Sequence, residues 1–276
     1  MNVIIGNANR PSYGEVTIPL PIPRKEYDHS LGLLQQMEIG DTLDDDCWVI
    51  GIENGPPFLQ RLQGMLVNID ELDYLAKRLE SFDHRELAAF QGMADAHGLE
   101  KLKDLINLTF SCNNVTVVQD FGDLEKIGRQ HYMNLNGGYA SVIEMEKLDA
   151  GKVAVELLSS QSGKITPYGI IYENGAEMVQ YYDGRCFPEY LYEEMLLTLE
   201  VSDGGQKSVW LDLPMPESQI GRMIERGGFN EQDMKIIHAE VDLPNELTDL
   251  LCLPKESIYE LNRMCTVIAD LSREDI

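Results

Sequence analysis

"VTIPLPIP", residues 16 to 23, sets three prolines, Pro19, Pro21 and Pro23, inside what otherwise reads as a short apolar strand. Each proline holds φ at roughly −65° and lacks an N–H, so the run suits polyproline II or a sheet edge and is incompatible with a central strand. The pattern returns as "VWLDLPMP" (209–216) at a constant offset of 193, pairing Val16 with Val209, Leu20 with Leu213, Pro21 with Pro214 and Pro23 with Pro216. At the same offset Tyr27 falls on Ile220 and Leu31 on Ile224. "VIGIENGPPFL" (49–59) then answers to "IIHAEVDLPNEL" (236–247), and "NIDELDYLAKRL" (68–79) to "PKESIYELNRMC" (254–265). This is an imperfect duplication of a strand–helix–strand–helix unit of roughly 65 residues. Asp212 replaces Pro19 in the second copy. That argues against a proline-rich ligand and for an edge strand whose last prolines end the strand and start a helix.

Outward from this stretch, the spacing of Tyr27, Leu31, Leu34 and Met37 predicts a helix over 24–37, and "CWVIGI" (47–52) a buried strand closed by "NGPP". Asn68 with Glu71 forms a capping-box pattern ahead of Leu72, Leu75 and Leu79, Asp83 with Glu86 opens a second helix, and 99–106 adds a third. "VTVV" (115–118) reads as a strand, and Asp120 or Asp123 caps the helix holding Leu124, Ile127 and Tyr132. Helices are expected at 147–159 and 188–200, a hairpin at Asn174-Gly175, and a linker at "DGGQK" (203–207). The expected fold is α+β, an elongated multi-module protein of small mixed units with a central helical unit. Its modules are 1–67, 68–112, 113–202 and 207–276, the last resembling 16–87.

The 276 residues are 43% apolar and 25% charged, an ordinary globular composition. The balance of charge is less ordinary: 47 Asp and Glu against 22 Lys and Arg leave −25, spread along the whole chain. Such a surface repels nucleic acid and anionic membranes and favours basic partners. Five cysteines without a C-x-x-C spacing, and an N-terminus without a basic-then-apolar leader, lead us to expect a reducing, cytoplasmic setting. No apolar stretch approaches the ~18 residues of a membrane span.

Local catalytic signatures are missing. His29, His84, His97, His131 and His238 have no zinc-site spacing, "GGQKS" (204–208) and "SGKIT" (162–166) fail as phosphate loops, and neither G-x-S-x-G nor G-x-G-x-x-G occurs. Pairs such as Glu144 with Glu146, or Glu193 with Glu194, are expected in so acidic a chain without any function. The expectation is a protein that is not an enzyme and holds no cofactor or metal.

"NIDELDYLAKRLESFDHRELAAFQGM" (68–93), "FGDLEKIGRQHYM" (121–133) and "LDAGKVAVELLSSQSGKITPYGII" (148–171) together resemble the ArdA-type antirestriction proteins. Asp123, Leu124, Gly128 and Arg129 fall on that family's acidic D/E-x-L-G-R-Y helix, although extra residues separate the leucine from the glycine. Gly163, Thr166, Tyr168 and Gly169 fall on its x-x-T-x-x-G-Y-I turn, and "IENGPPFL" (52–59) is similar to the end of its first domain. The resemblance covers about residues 16–175. The family's G-R-D is Ala154, Val155 and Glu156 here, and the C-terminal repeat lies beyond the family's usual length.

What the resemblance implies is a mimic of B-form DNA encoded on a mobile element. Such a mimic is usually a homodimer, and its carboxylates occupy the DNA-binding groove of a type I restriction–modification enzyme. Twenty-five charges correspond to roughly 40 Å of duplex at about one charge per 1.7 Å. The acids implied are Asp41, Asp44, Asp45 and Asp46 in a loop, Asp70, Asp73, Glu80 and Glu86 on the helical unit, and Asp123, Glu125, Glu144, Glu146 and Asp149 beyond it. The competing reading is an acidic protein-binding accessory factor of a mobile element that mimics no DNA; a further one is an enzyme with an acidic, metal-assisted site.

Overall fold

A computed structural model describes residues 1–192, 195–205, 207–243, 248, 251, 253 and 256–274. In chain order the elements are β1 (Asn2–Gly6), β2 (Glu15–Pro19), α1 (Tyr27–Gln36), β3 (Cys47–Glu53), β4 (Leu66–Val67), α2 (Ile69–Glu80), α3 (His84–His97), α4 (Leu102–Leu108), β5 (Val115–Val118), α5 (Leu124–Leu135), α6 (Val142–Lys147), α7 (Ala150–Ser159), β6 (Lys164–Thr166), β7 (Gly169–Glu173), β8 (Leu197–Ser202), β9 (Val209–Leu213), α8 (Glu217–Gly227), β10 (Lys235–Val241) and α9 (Ile258–Glu274). The class is α+β, with three small antiparallel sheets among the described residues. Two compact units divide the chain: Met1–Gly55, Leu62–Ala76 and Tyr182–Ile276 form the first, and Pro56–Arg61 with Lys77–Tyr181 the second. These units cut across the modules expected along the sequence, because the two repeats share one unit.

In the first unit the repeats build sheets of order β2-β1-β3-β4 and β10-β8-β9. The proline-bearing β2 and its counterpart β9 are edge strands, where a missing N–H breaks no ladder. Val3 lies opposite Ile18 and Ile5 opposite Val16; Leu199 lies opposite Leu211 and Val201 opposite Val209. Both ladders break register at the same place, once between Ile4 and Ile5 against β3, and once between Ile236 and His238 against β8. Leu20-Pro21 and Leu213-Pro214 are both cis. The duplication therefore begins at β1 and β8, earlier than the proline run that revealed it. Buried Tyr27 and Leu31 on α1 match buried Ile220 and Ile224 on α8.

Several expected elements differ. The helix expected at 188–200 does not form over its described residues: 197–202 are strand β8, because Leu197, Leu199 and Val201 alternate toward one apolar core. The linker expected at 203–207 falls instead between the paired strands β8 and β9, where, among its described residues, Gly204 has φ 93° and Lys207 O accepts from the Ser202 hydroxyl at 2.8 Å. The boundary expected between 202 and 207 thus falls within that sheet. The helix expected at 147–159 is α7, starting at Ala150, and a further short helix, α6, precedes it at Val142–Lys147.

In the second unit the sheet order is β5-β7-β6. The chain reverses at Pro167-Tyr168, with Thr166 opposite Gly169, and not at Asn174-Gly175. Asn174 is occupied otherwise: its N–H donates to Asn114 O and its Nδ2 to Asn134 O, both at 2.9 Å. Helices α5 and α7 cover this sheet with Ile127, Ala154 and Leu157 against Val118 and Tyr172. Gly128 makes their approach possible, since a Cβ there would lie 1.8 Å from Ala150 O.

Candidate functional site

In the second unit each candidate acid stands exposed, and most are fixed by helix starts. Asp83 and Glu86 form a reciprocal capping box at α3, Glu86 accepting the Asp83 N–H at 2.9 Å. Ser141 and Glu144 do the same at α6, Glu144 Oε2 accepting the Ser141 N–H at 2.8 Å. Asp123 caps α5 through the Lys126 N–H at 2.9 Å, and Asp149 caps α7 through the Lys152 N–H at 3.1 Å. Ser141, donating from its hydroxyl and its N–H, holds the Glu144 carboxyl below its ordinary range. Glu125 faces Arg129 one turn on at 3.5 Å, while Glu80 and Glu146 are exposed on their helices.

Beside Glu146, a cleft of about 340 Å³ is lined by Arg129, Ala140, Val142, Met145 and Leu148. Its wall sets the charges of Arg129 and Glu146 among apolar side chains. Among the described residues no group of three or more His, Cys, Asp or Glu could hold a metal ion, and no helix is long and apolar enough to cross a membrane. Glu193 and Glu194 lie outside the described residues.

In the first unit, Asp41, Asp44 and Asp45 are exposed on a loop that its own carboxylates stitch together. Asp46 accepts the Gly40 and Asp41 N–H groups at 3.0 and 2.9 Å, and Asp41 accepts those of Leu43 and Asp44 at 2.7 and 2.9 Å. The N–H groups of Leu43 and Asp44 hold the Asp41 carboxyl below its ordinary range.

Asp70 and Asp73 do not belong to an exposed acidic surface. Asp73 is 5% exposed and accepts the Ile22 N–H at 2.6 Å, anchoring the loop behind Pro21. Its counterpart is Asn262, which accepts the Met215 N–H at 2.9 Å and donates to Met215 O at 2.8 Å behind Pro214. This equivalence aligns Glu71-Leu72-Asp73 with Glu260-Leu261-Asn262, three positions away from the register read in sequence. Asp70 has 12% of its side chain exposed and takes Arg222 Nε at 3.1 Å on each oxygen, with Nη2 at 2.8 Å on Oδ2. A carboxylate closed against a guanidinium presents no charge to a partner.

The residues that sequence reasoning missed are Arg222 and Arg226, one turn apart on the polar face of α8. Arg226 is 2% exposed; its Nη1 donates to Thr42 O at 2.6 Å and Asn68 Oδ1 at 2.9 Å, and its Nη2 to Glu71 Oε1 at 2.7 Å and to the Tyr182 hydroxyl. Asn68 caps α2 as expected, accepting the Asp70 and Glu71 N–H groups at 3.1 and 3.2 Å. Glu71 does not complete the box because it pairs with Arg226. The available signal was "RMIER" (222–226), two arginines at i and i+4 in a strongly acidic chain.

No family model, curated protein or solved structure matches this chain.

Proposed function

We propose that this chain is a DNA-mimic antirestriction protein that binds the DNA-binding groove of type I restriction–modification enzymes, without catalysis, through a distributed acidic surface. The observation that carries the reading is the net charge of −25, displayed by exposed carboxylates that helix caps and a self-bonded loop hold in place. Fixed anions suit the role, because binding then orders few side chains and gains from releasing ions condensed on the basic groove. The acids that serve it are Asp41, Asp44, Asp45, Glu80, Glu86, Asp123, Glu125, Glu144, Glu146 and Asp149, with Asp46 holding the loop. The sequence patterns shared with ArdA-type proteins support the same assignment, which puts the protein in the cytoplasm beside its target.

The test is a restriction and modification assay with a purified type I enzyme over a salt series. Inhibition at low salt that fades steeply as salt rises is expected. Absence of inhibition at low salt, with folded protein in excess, overturns the reading for that enzyme.

A further inference from the structure

We propose that the face formed by residues 40–46 and the first turn of α2 is a receptor for two guanidinium groups one helical turn apart, and that α8 fills it in cis as an exchangeable plug. The acceptors are held mainly by bonds within the loop and α2, with the Thr42 hydroxyl donating to Glu225 on α8 at 2.9 Å. Asp46 closes the loop on Gly40 and Asp41, and Asn68 Nδ2 donates to Asp41 O, Thr42 O and Asp44 O, each at 3.2 Å. The Gly40, Asp41 and Thr42 carbonyls and the Asn68 Oδ1 are thereby held beside the Asp70 and Glu71 carboxylates. Arg222 spans Asp70, Gly40 O at 2.9 Å and Asp41 O at 3.3 Å. Arg226 takes Thr42 O, Asn68 and Glu71, with its guanidinium 4.8 Å from the Phe187 ring centroid.

The chemistry of this contact is that of a separable partner. Permanent interfaces between modules are predominantly apolar, and a buried ion pair repays its desolvation only when every donor is satisfied. Here Arg226 Nε has no hydrogen-bond partner among the described residues. Burial also pushes the Asp70 and Glu71 carboxyls above their ordinary range, although guanidinium groups face them. A plug held by ionic contacts with one donor unmet is exchangeable for another arginine pair. Lifting it exposes Asp70 and Glu71 to a basic partner. The identity of that partner rests on the mimic reading; the receptor itself does not.

The full-length chain is tested with oligoarginine as the probe, alongside Arg222→Gln and a Lys235→Gln control carrying the same change of charge. If α8 is an exchangeable plug, Arg222→Gln binds oligoarginine at least about threefold tighter than Lys235→Gln. Oligoarginine also speeds amide hydrogen exchange in residues 217–227 of the wild type. In Arg226→Ala, a few millimolar guanidinium restores the lost thermal midpoint, whereas equal NaCl does not. Equal oligoarginine binding by the two Gln variants, or exchange in α8 only through global unfolding, overturns the proposal even if Arg226→Ala fails to fold. Loss of type I inhibition in the assay above bears on the mimic reading alone, because these readouts need no restriction enzyme.

Discussion

Asp73 and Asn262 hold the same place in the two repeats, each accepting the N–H of the residue after a Leu-Pro pair, at Ile22 and Met215. An amide and a carboxylate are thus interchangeable as acceptors there. Asp73→Asn should therefore change the urea midpoint little, while Asp73→Ala strands a buried N–H and should cost about 1–3 kcal/mol. A large loss of stability in Asp73→Asn would show that its charge, and not its acceptor, is needed.

The exposed acids should behave as a sum. Asp44→Asn, Glu125→Gln or Glu146→Gln alone should weaken target binding by less than about 1 kcal/mol, since exposed charges are individually weak. All three together should lower the slope of log K against log salt by about two to three. Binding measured by competition with DNA over a salt series checks this, and one residue accounting for most of the loss would argue for a localised contact instead.

What was legible in sequence followed from local rules. Prolines place β2 on an edge, and Asp83-x-x-Glu86 marks the start of α3, because a missing N–H and a cap each act within a few residues. Strand β8 was missed because Leu196, Leu197 and Leu199 support either period in so short a run. Asp70 was assigned to the surface because its partner, Arg222, lies 152 residues away. An acid's exposure depends on such distant cations, so composition established the charge of this chain without locating all of it.

His131 should make the second unit sensitive to mild acid. Burial lowers its pKa, and its Nδ1 lies 2.9 Å from Thr116 Oγ1, which accepts from Asn134 Nδ2 at 3.0 Å. A histidine with a lowered folded pKa stabilises fully above its ordinary value of about 6.5, and that stability is lost as the pH falls toward the depressed value. Wild-type α5 amides should exchange faster at about pH 5.5 than at about pH 7.5 after correction for the intrinsic rates. His131→Gln should flatten this difference, and an unchanged difference would assign the effect to other groups.

Gly128 is the sharpest test of the second unit, because the reason for its glycine is steric. A Cβ at this position would meet Ala150 O at 1.8 Å and Ala150 C at 2.6 Å, and backbone atoms cannot rotate away as a side-chain tip can. Alanine is the better helix former by roughly 1 kcal/mol, so propensity alone predicts that Gly128→Ala stabilises α5. The contact between α5 and α7 predicts the opposite, a net loss of about 1–3 kcal/mol as the helices separate and Ile127 and Leu157 lose packing. Thermal and urea unfolding of Gly128→Ala decide the sign. Because Asp123 and Asp149 cap these two helices, the same separation would displace two of the exposed acids, and target binding should weaken although no charge has changed.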